Sequence, residues 1–194
     1  MRRVAITARL NEFASVPPSK YFYELCYCLL TPQSSAVNAG KVVAELQKND
    51  FKHSDIHPVQ FLKRKEHYIR FHNMKSEHLL QMKQQYADVH KCILRTSNAY
   101  ALREELIQRI QGIGYKESSH FLRNIGKRNL AILDRHILKN LVRCEVLPSV
   151  PRTLSPKIYL EIEQIFLLFA KQIQIPMDVL DLLFWSMETG LILK

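Results

Sequence analysis

The sequence predicts an all-α fold, and three observations carry that reading. Glycine is scarce, five residues in 194, while Leu, Lys, Glu and Gln are frequent, a balance that favours helices over a turn-rich sheet protein. Apolar residues recur at steps of three and four in one segment after another. No long alternating run and no Asn-Gly or Asp-Gly hairpin turn argues for strands.

Taken in order, residues 19 to 31 form an apolar stretch between Pro17-Pro18 and Thr31-Pro32 and read as a buried helix, with Cys26 and Cys28 as core residues. Ser34 or Ser35 is placed to cap the next helix, which runs to about Leu46 and closes at Lys48-Asn49-Asp50. Residues 66 to 85 carry Tyr68, Ile69, Phe71, Met74, Leu79, Leu80 and Met82 and read as one helical segment. Leu102, Leu106 and Ile110 follow at steps of four, then Leu133, Ile137, Leu138 and Leu141. The stretch PSVPRTLSP, Pro148 to Pro156, is the clearest loop. Beyond it lie two further stripes, Ile158 to Ile173 and Leu180 to Met187.

Lys and Arg exceed Asp and Glu by 28 to 18, a net charge of +10, for which a phosphate backbone is the obvious polyanionic partner. The four cysteines include no CxxC pair, so neither a metal site nor a cysteine-ligated cluster is expected, and no cofactor is called for. Arg2 and Arg3 are not followed by the apolar run of a signal peptide, and no segment is long and apolar enough to span a bilayer. A cytoplasmic, monomeric protein without membrane contact is expected.

The chemistry concentrates between Leu106 and Leu141. One helix ends at Gln111, Gly112-Ile113-Gly114 follows, and a second helix begins near Tyr115 or Lys116. Two glycines bracketing one apolar residue suit a tight turn between helices, and the first amides of the second helix can bind a phosphate oxygen. Lys116 stands two residues after Gly114, and Asp134 precedes the next apolar stripe in Leu133-Asp134-Arg135-His136. A lysine amine in neutral form is a nucleophile able to form a Schiff base, and an ionised aspartate can stabilise positive charge that develops beside it. Asp134 is also a favoured residue for capping a helix N-terminus, so it can serve as a cap, a catalytic group or both.

GIGYKESSHFLRNIG, Gly112 to Gly126, followed by LAILDRHIL, Leu130 to Leu138, resembles the type-2 8-oxoguanine DNA glycosylase/lyases of the helix-hairpin-helix superfamily. The resemblance extends to ELCYCLLTPQSSAVNAGKV, to YIRFHNMKSEHL and to LLFWSMETGLILK, and so covers most of the chain. It implies a two-lobed fold with an active cleft between lobes, residues 1–30 plus 135–194 in one lobe and 31–134 in the other, the hairpin lying near 106–125. It implies a base-excision repair enzyme acting on double-stranded DNA that contains 8-oxoguanine or abasic sites. Lys116 is then the nucleophile and Asp134 its catalytic partner, while Gly112, Gly114, His136, Arg70 and Gln33 meet the DNA. The short tail ending in Lys194 is implied to lie at the base pocket. Trp185 and His120 are candidates for contact with the flipped base. At several of these positions a plainer role stays open: turn and capping for Gln33, a solvated helix face for Arg70 with His72, Asn73 and Lys75, core packing for Trp185 and His120, and a frayed end for the tail.

Two other readings compete. A non-catalytic DNA-binding hairpin would have no need of Lys116 and Asp134 at these positions. A monofunctional glycosylase for other damaged bases would have no need of the lysine.

Overall fold

The computed structural model describes residues 2–192, and helix follows helix through them. The order is α1 (Arg2–Ala14), α2 (Tyr21–Leu30), α3 (Ala36–Lys48), the single turn α4 (Val59–Leu62), α5 (His72–Gln84), α6 (Tyr86–Arg95), α7 (Ala99–Arg109), α8 (Tyr115–Asn124), α9 (Arg135–Arg143), α10 (Pro156–Gln172) and α11 (Met177–Thr189). Short 3-10 turns at Pro18–Lys20 and Lys65–His67 complete the regular structure. The chain divides into two compact units, Pro17–Phe121 on the one hand and Met1–Val16 with Leu122–Lys194 on the other.

In the Pro17–Phe121 unit, α2 is the axis. It is apolar almost all round, and Phe22, Leu25, Cys26, Cys28 and Leu30 are fully buried, the pattern of a helix surrounded by others. Helices α3 and α5 pack against it. Phe22 meets Tyr86 edge-on at 4.9 Å between ring centroids and lies 5.9 Å from Phe51. Burial pushes the Cys26 thiol far above its ordinary range.

In the other unit α11 packs on α1, α9 and α10. Ile6, Leu10 and Phe13 of α1 close over Leu182, with Val179, Leu183 and Ile192 at the margin. Between α8 and α9 the chain runs extended, and α10 supplies its hydrogen bonds. Glu163 Oε1 accepts from Ala131 N at 2.8 Å, the Tyr159 hydroxyl donates to Ala131 O at 2.7 Å, and the same hydroxyl oxygen accepts from Leu133 N at 3.3 Å. Leu133 therefore belongs to this extended approach rather than to the helical stripe expected from its spacing, and α9 begins only at Arg135.

The segment expected as one helix over 66 to 85 is broken. Ile69 N donates to Leu62 O at 2.9 Å, Arg70 N donates to Ser34 Oγ at 3.1 Å, and Phe71 takes a left-handed φ of 57° before α5 starts. Tertiary partners for the backbone outweigh helical periodicity here, because Ile69 is drawn into the core. Helices α1, α4 and α6 lie outside the segments singled out by periodicity.

One ion pair in the α1–α11 unit is fully enclosed. Arg123 Nη1 donates to Asp181 Oδ2, Arg123 Nη2 donates to Asn124 Oδ1 at 3.2 Å, and the guanidinium lies 5.0 Å from the Phe13 ring. Burial, countered by Arg123 and reinforced by the nearby charge of Asp134, holds the Asp181 carboxyl at about 6. A carboxyl raised in the folded state contributes stability fully below its unfolded value and loses it as pH rises through about 6. Arg123→Met should leave the carboxylate uncompensated and cost about 3–5 kcal/mol at pH 8. The loss should be smaller at pH 5, where the carboxyl accepts a proton. Urea denaturation at both pH values measures this, and a pH-independent loss would place the charge elsewhere.

Candidate active site

The two glycines of the hairpin do different work. Gly112 has φ 87°, the left-handed region, and a Cβ built there would stand 2.2 Å from His78 Nδ1, so the imidazole of α5 packs directly on the bare backbone. Ile113 is buried and anchors the turn between α7 and α8. Gly114 opens α8. Its carbonyl accepts from Ser118 N at 3.0 Å and from Ser118 Oγ at 2.6 Å, while its amide donates to Glu117 Oε2 at 3.3 Å. A glutamate reaching back to the start of its own helix is half of a capping box, and it satisfies an amide that the helix cannot.

Lys116 projects from the first turn of α8 with a third of its side chain exposed, and Nζ meets Glu117 Oε1 at 3.0 Å. Glu117 thus joins the turn and the lysine through one carboxylate. Sequence reasoning passed over Glu117 and His78. The spacing of Glu117 three residues after Gly114 carried a signal for the first, whereas only the fold brings His78 to the turn.

Lys75 is corrected from a solvated helix face to the interior. It is 3% exposed, and its ammonium donates to Leu30 O at 2.7 Å, Pro32 O at 2.6 Å and Ser34 Oγ at 3.1 Å. Burial, with the Lys116 charge as the next contribution, pushes this amine down to about 8. The same burial and the Lys75 charge press the His78 imidazole below its usual range. Arg70 remains exposed, its guanidinium 5.4 Å from the exposed Phe71 ring. Gln33 is exposed with φ 54° in the turn that Lys75 holds. His120, on α8, is half-buried and meets Tyr27 edge-on at 5.7 Å. The Pro17–Phe121 unit therefore assembles Gly112, Gly114, Lys116, Arg70 and Gln33 around α5 and the head of α8.

The other unit holds Asp134, His136 and Trp185. Asp134 caps α9, with Oδ1 accepting from His136 N at 2.8 Å and from Ile137 N at 2.9 Å. Both cap bonds end on that one oxygen. Oδ2 takes no hydrogen bond among the described residues. His136 is half-buried, edge-on to Trp185 at 6.5 Å, with Nδ1 3.8 Å from Glu188 Oε2. Glu188 also accepts from Arg143, which draws its carboxyl below the ordinary range. Lys194 lies outside the described residues. The last described position, Ile192, accepts at its carbonyl from Arg9 Nη2 at 3.4 Å and packs beside Leu182.

His53 and His57 form a His-x-x-x-His pair, a spacing that metal sites use and that the metal-free expectation passed over, but they turn to different carboxylates, Asp50 and Glu77. Among the described residues no group of three His, Cys, Asp or Glu is arranged to hold a metal ion, and no helix is long and apolar enough to cross a membrane.

A family model described as 8-oxoguanine DNA glycosylase, helix-hairpin-helix type, matches residues 6–175. The chain belongs to this family. It is 40% identical over 200 residues to an 8-oxoguanine DNA glycosylase/AP lyase of Fusobacterium nucleatum, a match covering 96% of this chain and 89% of the relative. The counterpart of the same description in Methanocaldococcus jannaschii is 33% identical, with 97% and 91% covered. Among solved structures, the M. jannaschii 8-oxoguanine glycosylase/lyase in complex with a 15mer DNA containing 8-oxoguanine superposes with a TM-score of 0.88 at 31% identity, covering 99% of this chain and 93% of that one. The Thermotoga maritima 8-oxoguanine DNA glycosylase gives 0.86 at 27%, with 99% and 92% covered. The all-α helix-hairpin-helix glycosylase fold expected from the sequence is the fold found.

The packing at Gly112 is testable through stability alone. Gly112→Ala meets both the left-handed backbone and the His78 ring, and should cost about 1–2 kcal/mol for the backbone with more for the clash. Gly112→Ala combined with His78→Ala should recover the clash but not the backbone cost. Denaturation midpoints of the two single variants and the double variant read this out, and strict additivity would mean that the ring does not bear on the glycine.

Proposed function

We propose that this protein excises 8-oxoguanine from double-stranded DNA and then cleaves the abasic strand, with Lys116 as the nucleophile of both steps. The observation that carries the reading is a lysine at the head of α8, directly after a glycine hairpin and held by Glu117, in a chain of this family. The Lys116 amine, once deprotonated, attacks C1′ as the bond from C1′ to the base breaks. The adduct opens to a Schiff base at C1′. Loss of a C2′ proton then expels the 3′ phosphate oxygen, and water hydrolyses the imine to return the lysine.

Asp134 serves both as cap and as catalytic group. Oδ1 holds the start of α9, and Oδ2 is left to face the positive charge that develops on the sugar. Gly112 and Gly114 bring the hairpin backbone beside a phosphate, and His136, Arg70 and Gln33 contact the DNA around the lesion. Trp185, His120 and the tail through Lys194 form the set that reads the flipped base. 8-Oxoguanine differs from guanine in carrying a proton on N7, so an acceptor placed there leaves guanine with two unpaired lone pairs, a mismatch of roughly 1–3 kcal/mol per group. The net charge of +10 suits a monomer working on DNA in the cytoplasm, at the nucleoid of a prokaryotic cell.

Incubation with a duplex carrying 8-oxoguanine, followed by borohydride reduction, tests the reading directly. The wild-type chain should give a covalent complex and Lys116→Gln none, with DNA affinity nearly unchanged. An undiminished covalent band from the variant would assign the nucleophile to another residue. Asp134→Asn, which keeps a cap acceptor but removes the charge, should slow excision by about a hundredfold with little change in melting temperature.

Removal of Leu191 to Lys194 separates base reading from strand cleavage. Excision of 8-oxoguanine should fall far more than cleavage at a preformed abasic site, which presents no base to read. Equal loss of the two activities would take the tail out of recognition.

A further inference from the structure

Lysine seldom goes inside a protein. Its flexible stem usually lets the ammonium reach water, and a buried ammonium is tolerated only where hydrogen bonds replace that water. Lys75 meets the requirement in full: an ammonium has three protons to donate, and Leu30 O, Pro32 O and Ser34 Oγ take one each. These acceptors share one location. Leu30 is the last residue of α2, where a carbonyl lacks an intrahelical partner and a cation is favoured by the helix dipole. Pro32 and Ser34 flank Gln33.

Gln33 has φ 54°, a backbone conformation that costs a residue with a side chain about 1–2 kcal/mol and persists only where the surroundings impose it. The surroundings here are the Lys75 clamp, the bond from Ser34 N to Thr31 O at 3.0 Å, and the bond from Arg70 N to the same Ser34 Oγ that Lys75 engages. Gln33 itself stands exposed at the apex of a turn fixed on both sides.

We propose that Lys75 is a positioning residue for DNA engagement: its buried ammonium locks the Leu30–Ser34 turn and thereby holds Gln33 in the strained conformation that presents it to the duplex. This rests on the reading that Gln33 contacts DNA. The lowered basicity of the amine accords with its enclosure and leaves most of it charged at neutral pH.

The test is a double-mutant cycle on binding to a duplex carrying a tetrahydrofuran abasic analogue, which is bound without being cleaved and without a damaged base to read. Lys75→Met keeps the length and bulk of the stem and removes the donors, while Gln33→Ala keeps the strained backbone and removes the side chain. Each should weaken binding about tenfold, and the double variant should be no more than about twofold weaker than either single one, since both act through one contact. A purely structural Lys75 would lower stability and leave the two effects multiplicative, about a hundredfold together, which overturns the proposal. Wild-type affinity in either single variant overturns it as well. Should Lys75→Met not fold, Ser34→Ala takes its place in the cycle, removing one clamp acceptor and the partner of the Arg70 amide. A wild-type chain that binds this duplex but leaves 8-oxoguanine in place would refute the proposed substrate and leave the cycle valid.

Discussion

Buried backbone that belongs to no helix must find its hydrogen bonds among side chains, and in this protein that requirement sets where the chemistry-bearing residues stand. Two irregular stretches run through packed surroundings. The Leu30–Ser34 turn is met by the Lys75 ammonium and leads to Gln33. The Ala131–Leu133 approach is met by Glu163 and Tyr159 of α10 and leads to Asp134. In both places a polar group carried inward by a helix takes over the bonding that a strand ladder would have provided. The residue delivered at the end of each stretch is one that the proposed reaction uses.

The hairpin solves the same problem differently. The amide that opens α8, Gly114 N, is satisfied by Glu117 from within that helix, and the same carboxylate also touches Lys116. Capping and placement of the proposed nucleophile are thus one interaction seen from two ends. Asp134 has a comparable double use, since its cap bonds both fall on Oδ1. In each unit the proposed catalytic residue sits at a helix N-terminus. Orphan amides there fix the carboxylates, and the positive end of the dipole favours anions, the phosphate of a substrate among them.

Much of this was legible in the sequence. The all-α class followed from scarce glycine and helical periodicity, while Gly112-Ile113-Gly114, Lys116 and Asp134 pointed to the candidate site only through their resemblance to a known family, since a glycine turn, a lysine or a capping aspartate taken singly is ordinary in a helical protein. The Asp134 cap was readable from its place before an apolar stripe. What periodicity could not give was the break at Tyr68 to Phe71. The apolar pattern continues through it, and the cause is a pair of backbone partners outside the helical register, nearby Leu62 and, far back in the chain, Ser34. The same blindness hid Lys75. A lysine between Met74 and Ser76 has the appearance of a solvated residue, and its burial follows from acceptors more than forty positions away. His78 was hidden for the same reason, since its importance lies in what Gly112 lacks.

The thiols of α2 carry a last consequence. Cys26 and Cys28 are fully enclosed, and burial keeps Cys26 protonated far beyond any physiological pH. Peroxides attack the thiolate and need access to it, and neither condition is met in this helix. A protein proposed to remove the products of guanine oxidation works when oxidants are abundant. Its central helix is thereby shielded from the very agents that generate its substrate, and Cys144, exposed at the end of α9, stands as the thiol they can reach.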